Sequence, residues 1–511
     1  MADIITTEGG FRLQDGTVLY QKTWKERHPV LSPIILDTTA RVGDALSTMN
    51  KTFHFVSDAQ VDRKSQRSLR SHVMKGKNSG KTFHRASRLD LARQRPYRYS
   101  APRTSHKETS KNTSLPRTTV ERNIGNVFLT VPCPVELRPD SLRIINQFYM
   151  YVVQKMYPSQ LGLSLDEGKS MWFNYMLADE AAAHCSIALM ETCNEFFYSQ
   201  GVSSAKALHH LSQAFTLVNR RIQSDEALSD STLGIILMLI FQEQLRKAKW
   251  ESKVHYEGLR KMVELRGGLT RLEGNHPLVL KICKTDITYA LQYGGPVVFF
   301  RDRFSEVSNM LSAKGFNLDR IPATSSIPYN SLNPYLHNIL IDATSFTTLS
   351  NHLPPNQPIN ISAFQEMLIS ILSRLIRFRP LQSPMPECTV EAAYHIGLIV
   401  LMMTVFLQFD HRRILEYELV SLRLRDVVES GLDEEEPELA LWLVFLGGIW
   451  TSGGSKGWFV ERICGLVGRM GMRSWAEVQG LVCKFPWVGA LHGPLGRGVW
   501  ELVGVCYAVI D

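Results

Sequence analysis

The sequence predicts an all-α protein, a large multi-helix array with a disordered basic N-terminal segment. Three observations support this fold class. Apolar residues recur at helical spacing in one segment after another beyond residue 137, the connections between these segments are polar or rich in proline, and patterns typical of strands are nearly absent. With 511 residues the chain exceeds one average domain. We therefore predict a region of unassigned structure at 1–52, a basic segment at 53–125 and a helical domain at 137–511.

The helical domain opens with a capped helix. Ser141 can cap the first turn, apolar residues follow on most faces, and Pro158 ends the segment, so a helix is predicted at 141–157. The same kinds of signal predict twelve further helices. These lie at residues 169–177, 179–197, 203–223, 229–246, 250–266, 278–292, 361–378, 390–418, 438–451, 458–470, 474–483 and 496–508.

Composition and hydropathy favour a soluble, intracellular protein. Hydrophobic residues make up 44% of the chain and charged residues 21%, which are ordinary soluble values. The longest apolar runs, Ile396–Leu407 and Leu439–Trp450, fall short of the ~18 residues that span a bilayer, so we expect core helices and no membrane association. The first residues lack the cationic start and apolar stretch of a signal peptide.

The eight cysteines are scattered and form no Cys-x2-Cys pair, the closest two being Cys185 and Cys193. In a long chain without an export signal, this pattern predicts reduced, buried thiols rather than a disulfide framework. It also gives no sign of a thiolate zinc site. We predict neither a metal nor another cofactor.

The net charge of +8 is concentrated in one stretch. Val61–Arg122 contains 17 Lys or Arg against 4 acids, so it carries +13 and the remainder of the chain about −5. Within it, residues 57–77 have the signals of a short cationic helix, and such charge favours polyanions because phosphate neutralisation releases counterions. A solvated linker or a nuclear-import signal explains the composition equally well. The candidate DNA or phosphate contacts are Arg63, Lys64, Arg67, Arg70, Lys75, Lys77 and Lys81.

No catalytic motif is complete in the sequence. Gly76–Thr82 (GKNSGKT) ends like a phosphate-binding loop but has three residues between its glycines, where the motif needs four. Gly453–Gly457 (GGSKG) fits a nucleophile elbow formally, yet no strand pattern precedes it, so we interpret it as a connection between helices. The adjacent His209 and His210 would point to different helix faces. We predict that the protein is not an enzyme.

Several stretches of the chain resemble the fungal-specific transcription factor domain, in the class that usually follows a binuclear zinc cluster. They are Val254–Leu272 (VHYEGLRKMVELRGGLTRL), His276–Phe299, Leu439–Trp450 and Trp458–Val488, and the resemblance covers roughly residues 140–505. Phe53–Gln60 and Arg67–Lys81 resemble a segment that precedes this domain in related fungal proteins. The six closely spaced cysteines of a zinc cluster are missing before Cys133. Either that module is encoded upstream or the protein regulates without it.

Local physical chemistry agrees with the resemblance at its clearest stretch. Leu259, Met262 and Val263 supply an apolar helix face, and Gly267–Gly268 can end the helix with positive φ angles. Arg266 then becomes a positive charge beside the C-terminal end of the helix dipole, where it is stabilising.

Together these features predict a regulator of transcription in the nucleus. Its helical domain would bind protein partners, itself or a small effector, and the basic segment would contact DNA weakly, mainly through phosphates. The alternative is a protein-interaction or scaffold module without a nucleic-acid role, whose basic segment serves import or solubility. An enzyme hidden in a helical bundle is a third hypothesis, to be reopened by a pocket with convergent polar groups.

Overall fold

The computed structural model describes residues 132–198, 205–318, 332–354, 357–386, 388–407, 413–451 and 455–510, together with three short strands before residue 21. The basic segment predicted at 53–125, its cationic helix and the seven candidate DNA contacts lie outside the described residues. The predicted domain limits therefore remain a prediction.

The chain divides into two compact units, Met1–Pro33 with His54–Ile124, and Ile34–Phe53 with Gly125–Asp511. Three strands of the first unit pair antiparallel in chain order: β1 (Thr6–Thr7), β2 (Gly10–Arg12) and β3 (Val18–Tyr20). Phe11 on β2 lies opposite Leu19 on β3. Strands of two or three residues are too short to show an alternating pattern, which is why the sequence did not predict them.

The second unit is helical, which confirms the predicted all-α class, and seventeen of its α-helices lie in the described residues. They are α1 (Pro139–Gln147), α2 (Asp166–Met176), α3 (Glu180–Tyr198), α4 (Ala205–Ile222), α5 (Asp230–Leu245), α6 (Lys249–Leu265), α7 (His276–Tyr293), α8 (Phe304–Ala313), α9 (Pro334–Asn351), α10 (Ile361–Phe378), α11 (Thr389–Phe406), α12 (Glu418–Glu429), α13 (Leu432–Glu435), α14 (Pro437–Trp450), α15 (Ser455–Arg469), α16 (Trp475–Val482) and α17 (Gly489–Ile510). A π-helical turn, Phe148–Val152, follows α1. Two short strands, β4 (Leu163–Ser164) and β5 (Ile359–Asn360), pair in parallel.

The structure differs from the predicted helices in several places. The helix predicted at 390–418 ends at Phe406, where the apolar run gives way to polar residues, and α12 is a separate helix. Four helices of the described part, α8, α9, α12 and α13, were not predicted. The sequence contains a helix-start signal for α9, the pair Asn333 and Pro334. In the structure the Asn333 side chain accepts a hydrogen bond from the Tyr335 amide, and Pro334 occupies the first turn. The last helix begins at Gly489, seven residues before the predicted start at 496.

The predicted core helices α11 and α14 form the centre of the second unit. Trp442 and Phe445 on α14 are fully buried, and the Trp442 indole donates a hydrogen bond to the Pro486 carbonyl at 3.1 Å. Gly397 on α11 lets the two helices approach, since a Cβ there would lie 2.4 Å from the Trp442 ring. By length and composition α11 could cross a membrane, but its most apolar window is 83% buried inside the protein, as in core helices of soluble proteins.

A buried ionic cluster holds α7 against α10. Glu366 on α10, 2% exposed, accepts hydrogen bonds from Arg301 at 2.5 and 2.9 Å and pairs with His276, the first residue of α7, at 2.6 Å. Glu273 pairs with the same Arg301 guanidinium at 2.6 Å. Burial alone would raise the pKa of Glu366, but the hydrogen bonds from His276 and Arg301 outweigh it and hold the pKa below its usual range. The cluster thereby fixes the start of α7 in the fold.

The prediction that the cysteines are buried was partly wrong. The cysteines of the described residues with placed side chains are all free thiols, and Cys185, Cys193 and Cys283 are buried. Cys388 and Cys483 are exposed because they flank helix ends, at the start of α11 and the end of α16, rather than on core faces.

Candidate ligand-binding pocket

A largely apolar pocket lies among α2, α5, α7 and the chain that follows α11. Its walls include Leu237 and Met238 on α5, Leu280 on α7, and Leu407 and Leu415 beyond α11. It measures about 1060 Å³, the open space at its mouth included. A concave, mostly apolar space with few polar groups is the usual form of a small-molecule site.

Two lysines one turn apart on α7 line this pocket. The Lys281 ammonium lies 4.4 Å from the centre of the Trp172 ring, and the Lys284 ammonium donates to the Phe406 carbonyl at 2.9 Å. Each residue keeps some surface exposed, but protein atoms enclose the ammonium groups. Burial lowers the pKa of Lys281 to about 8, and burial together with the charge of Lys281 lowers the pKa of Lys284 to about 7.

Two residues of α2, Trp172 and Tyr175, line the pocket. Trp172 is 4% exposed, and neither its indole N–H nor the Tyr175 hydroxyl has a hydrogen-bond partner. Both donor atoms are fully buried, so they lie behind the pocket surface rather than on it. Burial, aided by the Asp230 carboxylate, raises the pKa of Tyr175, which keeps its hydroxyl a donor.

A glycine on α5 places the Tyr175 ring. A Cβ at Gly234 would lie 2.2 Å from Cε1 of Tyr175, so the ring packs directly on the α5 backbone. No other residue fits at this position without moving the tyrosine. Gly234 itself also lines the pocket.

Other polar side chains of the pocket bond to protein. The side chains of Tyr157 and Gln365 are hydrogen-bonded to each other, as are those of Tyr417 and Thr288 and those of Gln244 and Tyr289. Among the described residues that line the pocket there is no Asp or Glu. The described lining therefore contains two cationic side chains and no anionic one, although the carboxylates of Asp230 and Glu167 act on Tyr175 and Tyr157 from outside it.

The described part of the chain contains no group of three or more His, Cys, Asp or Glu side chains that could hold a metal ion. The His209 and His210 side chains diverge as predicted. His209 is exposed, whereas Nδ1 of the half-buried His210 lies 2.8 Å from Nδ1 of His184. Burial and the neighbouring His184 lower the pKa of His210 to about 4, so this pair is neutral at physiological pH.

The Gly267–Gly268 helix end and Arg266, which the sequence singled out, do not line the pocket. Gly267 and Gly268 end α6 with φ angles of 95° and 86°, as predicted. Arg266 donates to the Leu228 carbonyl at 2.8 Å and pairs with Asp230, so it ties the end of α6 to the start of α5 in addition to its place at the helix dipole. The GGSKG stretch was predicted to be a connection between helices, but Ser455–Gly457 form the start of α15, and residues 452–454 lie outside the described part.

Sequence reasoning missed the pocket, although one signal was available. Two lysines at i and i+3 on α7 interrupt an otherwise apolar helix face. Charged side chains at core-facing positions are uncommon unless they are paired or functional. The contributions of Trp172, Tyr175 and Gly234 depend on how α2 and α5 pack and carry no comparable signal.

Comparison with known proteins gives one match. Residues 143–290 match the family model of the fungal specific transcription factor domain, which supports the resemblance seen in the sequence over this range. The matched range extends from α1 into α7 and includes both pocket lysines. Neither the curated proteins nor the solved structures include a match to the chain.

Proposed function

We propose that this chain, which carries a fungal specific transcription factor domain over residues 143–290, regulates transcription in the nucleus through its helical domain. The observation that carries the proposal is the family match itself. The helical unit supports it, because its buried core provides a rigid scaffold for partners or a small ligand. A regulatory rather than catalytic role follows from the family match, because the matched family is a transcription factor domain.

DNA engagement belongs to the basic segment. With 17 Lys or Arg against 4 acids in 61–122, the segment attracts phosphates, whereas the remainder of the chain carries net negative charge and repels them. The contacts would come from Arg63, Lys64, Arg67 and Arg70 and their neighbours. They would be weak and insensitive to sequence, so stable occupancy of a site would need both these contacts and a partner of the helical domain that selects the site.

The test is chromatin occupancy of the tagged, full-length protein beside a variant with Arg63, Lys64, Arg67 and Arg70 changed to Ala. A matched variant loses four charges from the same segment by substitution of Arg85, Arg88, Arg93 and Arg95 with Ala. All forms carry an added import signal, so that localisation does not differ. We expect discrete occupancy that the first variant loses and the matched variant largely keeps.

Other outcomes separate the competing hypotheses. Discrete occupancy retained by both variants would assign recruitment to a protein partner and remove the basic segment from the proposal. If the full-length protein in the nucleus occupies no discrete sites and its deletion changes no transcript, the transcriptional role is wrong and the scaffold hypothesis replaces it.

A further inference from the structure

We propose that the pocket among α2, α5 and α7 binds a neutral, largely apolar small molecule, which lies along the wall that α5 provides. Binding itself stands on the pocket alone. Only the use of the bound molecule as a signal for the helical domain rests on the proposed function.

The first argument is an apolar side of α5 that protein does not fully cover. From Leu233 to Phe241 this helix is apolar on all sides, and such a helix is normally buried on all sides. Leu233 and Leu239 are fully buried, whereas Leu237 and Met238 line the pocket with 6% of their surface exposed. Phe241, one turn further on, also lines the pocket and is half-buried. The side of α5 that remains open is therefore its pocket side.

The apolar lining continues on the other walls. Leu280 on α7 and Leu407 and Leu415 beyond α11 face the same space. Cavities lined by aliphatic and aromatic side chains hold water poorly and take up apolar molecules instead. An apolar ligand thus completes the burial that the surrounding helices leave unfinished along α5.

The second argument is that the polar groups of the lining already have partners within the protein. Tyr157, Gln244 and Tyr417 are hydrogen-bonded to other side chains, and Lys284 donates to a backbone carbonyl. The two donors of α2 without a partner lie behind the pocket surface. A molecule with several polar groups would lose hydration that these walls do not replace.

The third argument concerns the charge of the ligand. The described lining contains two lysines and no carboxylate, so a cation would be repelled. An anion would gain little in exchange for its hydration, because the Lys281 ammonium already lies on the Trp172 ring and Lys284 is hydrogen-bonded. The carboxylates of Asp230 and Glu167 act on the pocket tyrosines from outside the lining and oppose a second negative charge. A neutral molecule meets neither penalty.

The fourth argument is that the walls are formed before a ligand binds. The Tyr175 ring packs on the α5 backbone at Gly234, and the cluster of Glu366, Arg301 and His276 anchors the start of α7. The pocket is thus built mainly by helices that are fixed against their neighbours. A preorganised site loses less entropy when it binds.

The experiment is fluorescence titration of the purified full-length protein with N-phenyl-1-naphthylamine, a neutral dye that brightens in apolar surroundings. The matched probe is 8-anilino-1-naphthalenesulfonate, which has the same ring skeleton and one added negative charge. We expect one neutral dye molecule per chain, bound about tenfold or more tightly than the sulfonate because the charge must be desolvated. The neutral dye should also raise the midpoint of thermal unfolding, since it binds only the folded state.

Two variants at one position test the location of the site. Thr285 lies on α7, lines the pocket and is half-buried, so Thr285→Trp fills the space without cutting into the core. The neutral dye should bind this variant about tenfold or more weakly. Thr285→Phe, with a smaller ring, should also weaken the dye and guards against a fold defect specific to tryptophan. The matched control, Thr216→Trp, changes an exposed residue of α4 outside the pocket lining and should bind like the wild type.

Three results would overturn the site. The first is that the neutral dye does not bind or does not raise the unfolding midpoint of the wild type. The second is that the sulfonate binds as tightly as the neutral dye. The third is that folded Thr285→Trp and Thr285→Phe, judged by their thermal unfolding, bind the neutral dye as the wild type does.

This experiment and the occupancy test fail separately. Dye binding without chromatin occupancy would leave the site standing and remove the transcriptional role. Occupancy without binding of the neutral dye would overturn the site alone.

Discussion

At the residue scale, Lys281 shows how a charged side chain in a pocket affects stability. Its ammonium lies 4.4 Å from the centre of the Trp172 ring, and burial lowers its pKa to about 8. In the unfolded chain a lysine titrates near 10.4. The folded state therefore holds its Lys281 proton less tightly than the unfolded state, and the residue lowers the stability of the empty domain wherever the unfolded lysine is protonated.

We expect Lys281→Met to raise the free energy of unfolding at pH 7 by about 1 kcal/mol, because one pKa unit corresponds to ~1.4 kcal/mol and partial exposure reduces the total. The gain should shrink as the pH rises from about 8 to 10, since wild-type Lys281 is neutral in the folded state there and its stability rises with pH. Urea denaturation of both proteins at several pH values measures this difference in the free energy of unfolding.

Other groups around Lys281 do not mask the effect. Lys281→Met removes the charge that helps to lower the pKa of Lys284, which adds to the gain with the same sign at the acidic end of the range. The pocket tyrosines Tyr157, Tyr175 and Tyr417 stay neutral because burial raises their pKa. Lys314→Met, at an exposed site, should change stability little at any pH. A gain that stays constant between pH 7 and 10 would show that packing, rather than charge burial, limits stability at Lys281.

At the element scale, the contact of α2 with α5 depends on a missing side chain. The Tyr175 ring occupies the space that a Cβ at Gly234 would need, at 2.2 Å from Cε1. Alanine is the better helix former by about 1 kcal/mol, so the sign of a Gly→Ala change in a helix reports whether the added methyl group has room. At Gly234 overpacking dominates, because the obstacle is a ring buried between two helices.

Gly234→Ala should therefore lower the free energy of unfolding by about 1–3 kcal/mol and displace Tyr175 from the pocket wall. The matched control is Gly465→Ala in α15, where the new methyl group meets only the end of the Arg469 side chain at 3.8 Å. That change should stabilise the protein by up to ~1 kcal/mol. Equal effects of the two substitutions would contradict the close approach of α2 and α5.

The helices also show how much of the fold can be predicted from the sequence. Most helices have a capping residue, a proline at one end or a long series of apolar residues at helical spacing. These signals predicted the first and last residues of α5, α10 and α14 to within a residue or two. The amphipathic helices α8 and α12 lack such signals at their starts and were missed. The pocket could not be predicted because its lining residues come from α2 and α7, about 110 residues apart, and only tertiary packing brings them together.

At the scale of the whole molecule, charge is divided along the chain. Residues 61–122 carry +13 and the remainder about −5, so attraction to a polyanion is confined to one segment. A net negative remainder repels DNA, which weakens contacts made outside the basic segment. Binding through this segment should therefore depend strongly on salt, because each neutralised phosphate releases counterions.

For the full-length protein on a labelled duplex of arbitrary sequence, affinity should fall with a slope of log K against log salt of roughly −6 if all seven candidate residues contact phosphates. Replacing Arg63, Lys64, Arg67 and Arg70 with Ala should reduce the slope to about −3, at roughly 0.9 per phosphate contact. Fluorescence anisotropy between about 50 and 200 mM salt covers the useful range.

The variant lacking Arg85, Arg88, Arg93 and Arg95 tests whether the contacts are local, since it should keep the wild-type slope. Equal reductions in both variants would show that the segment binds as a diffuse positive charge, and an unchanged slope in both would place DNA engagement elsewhere in the molecule.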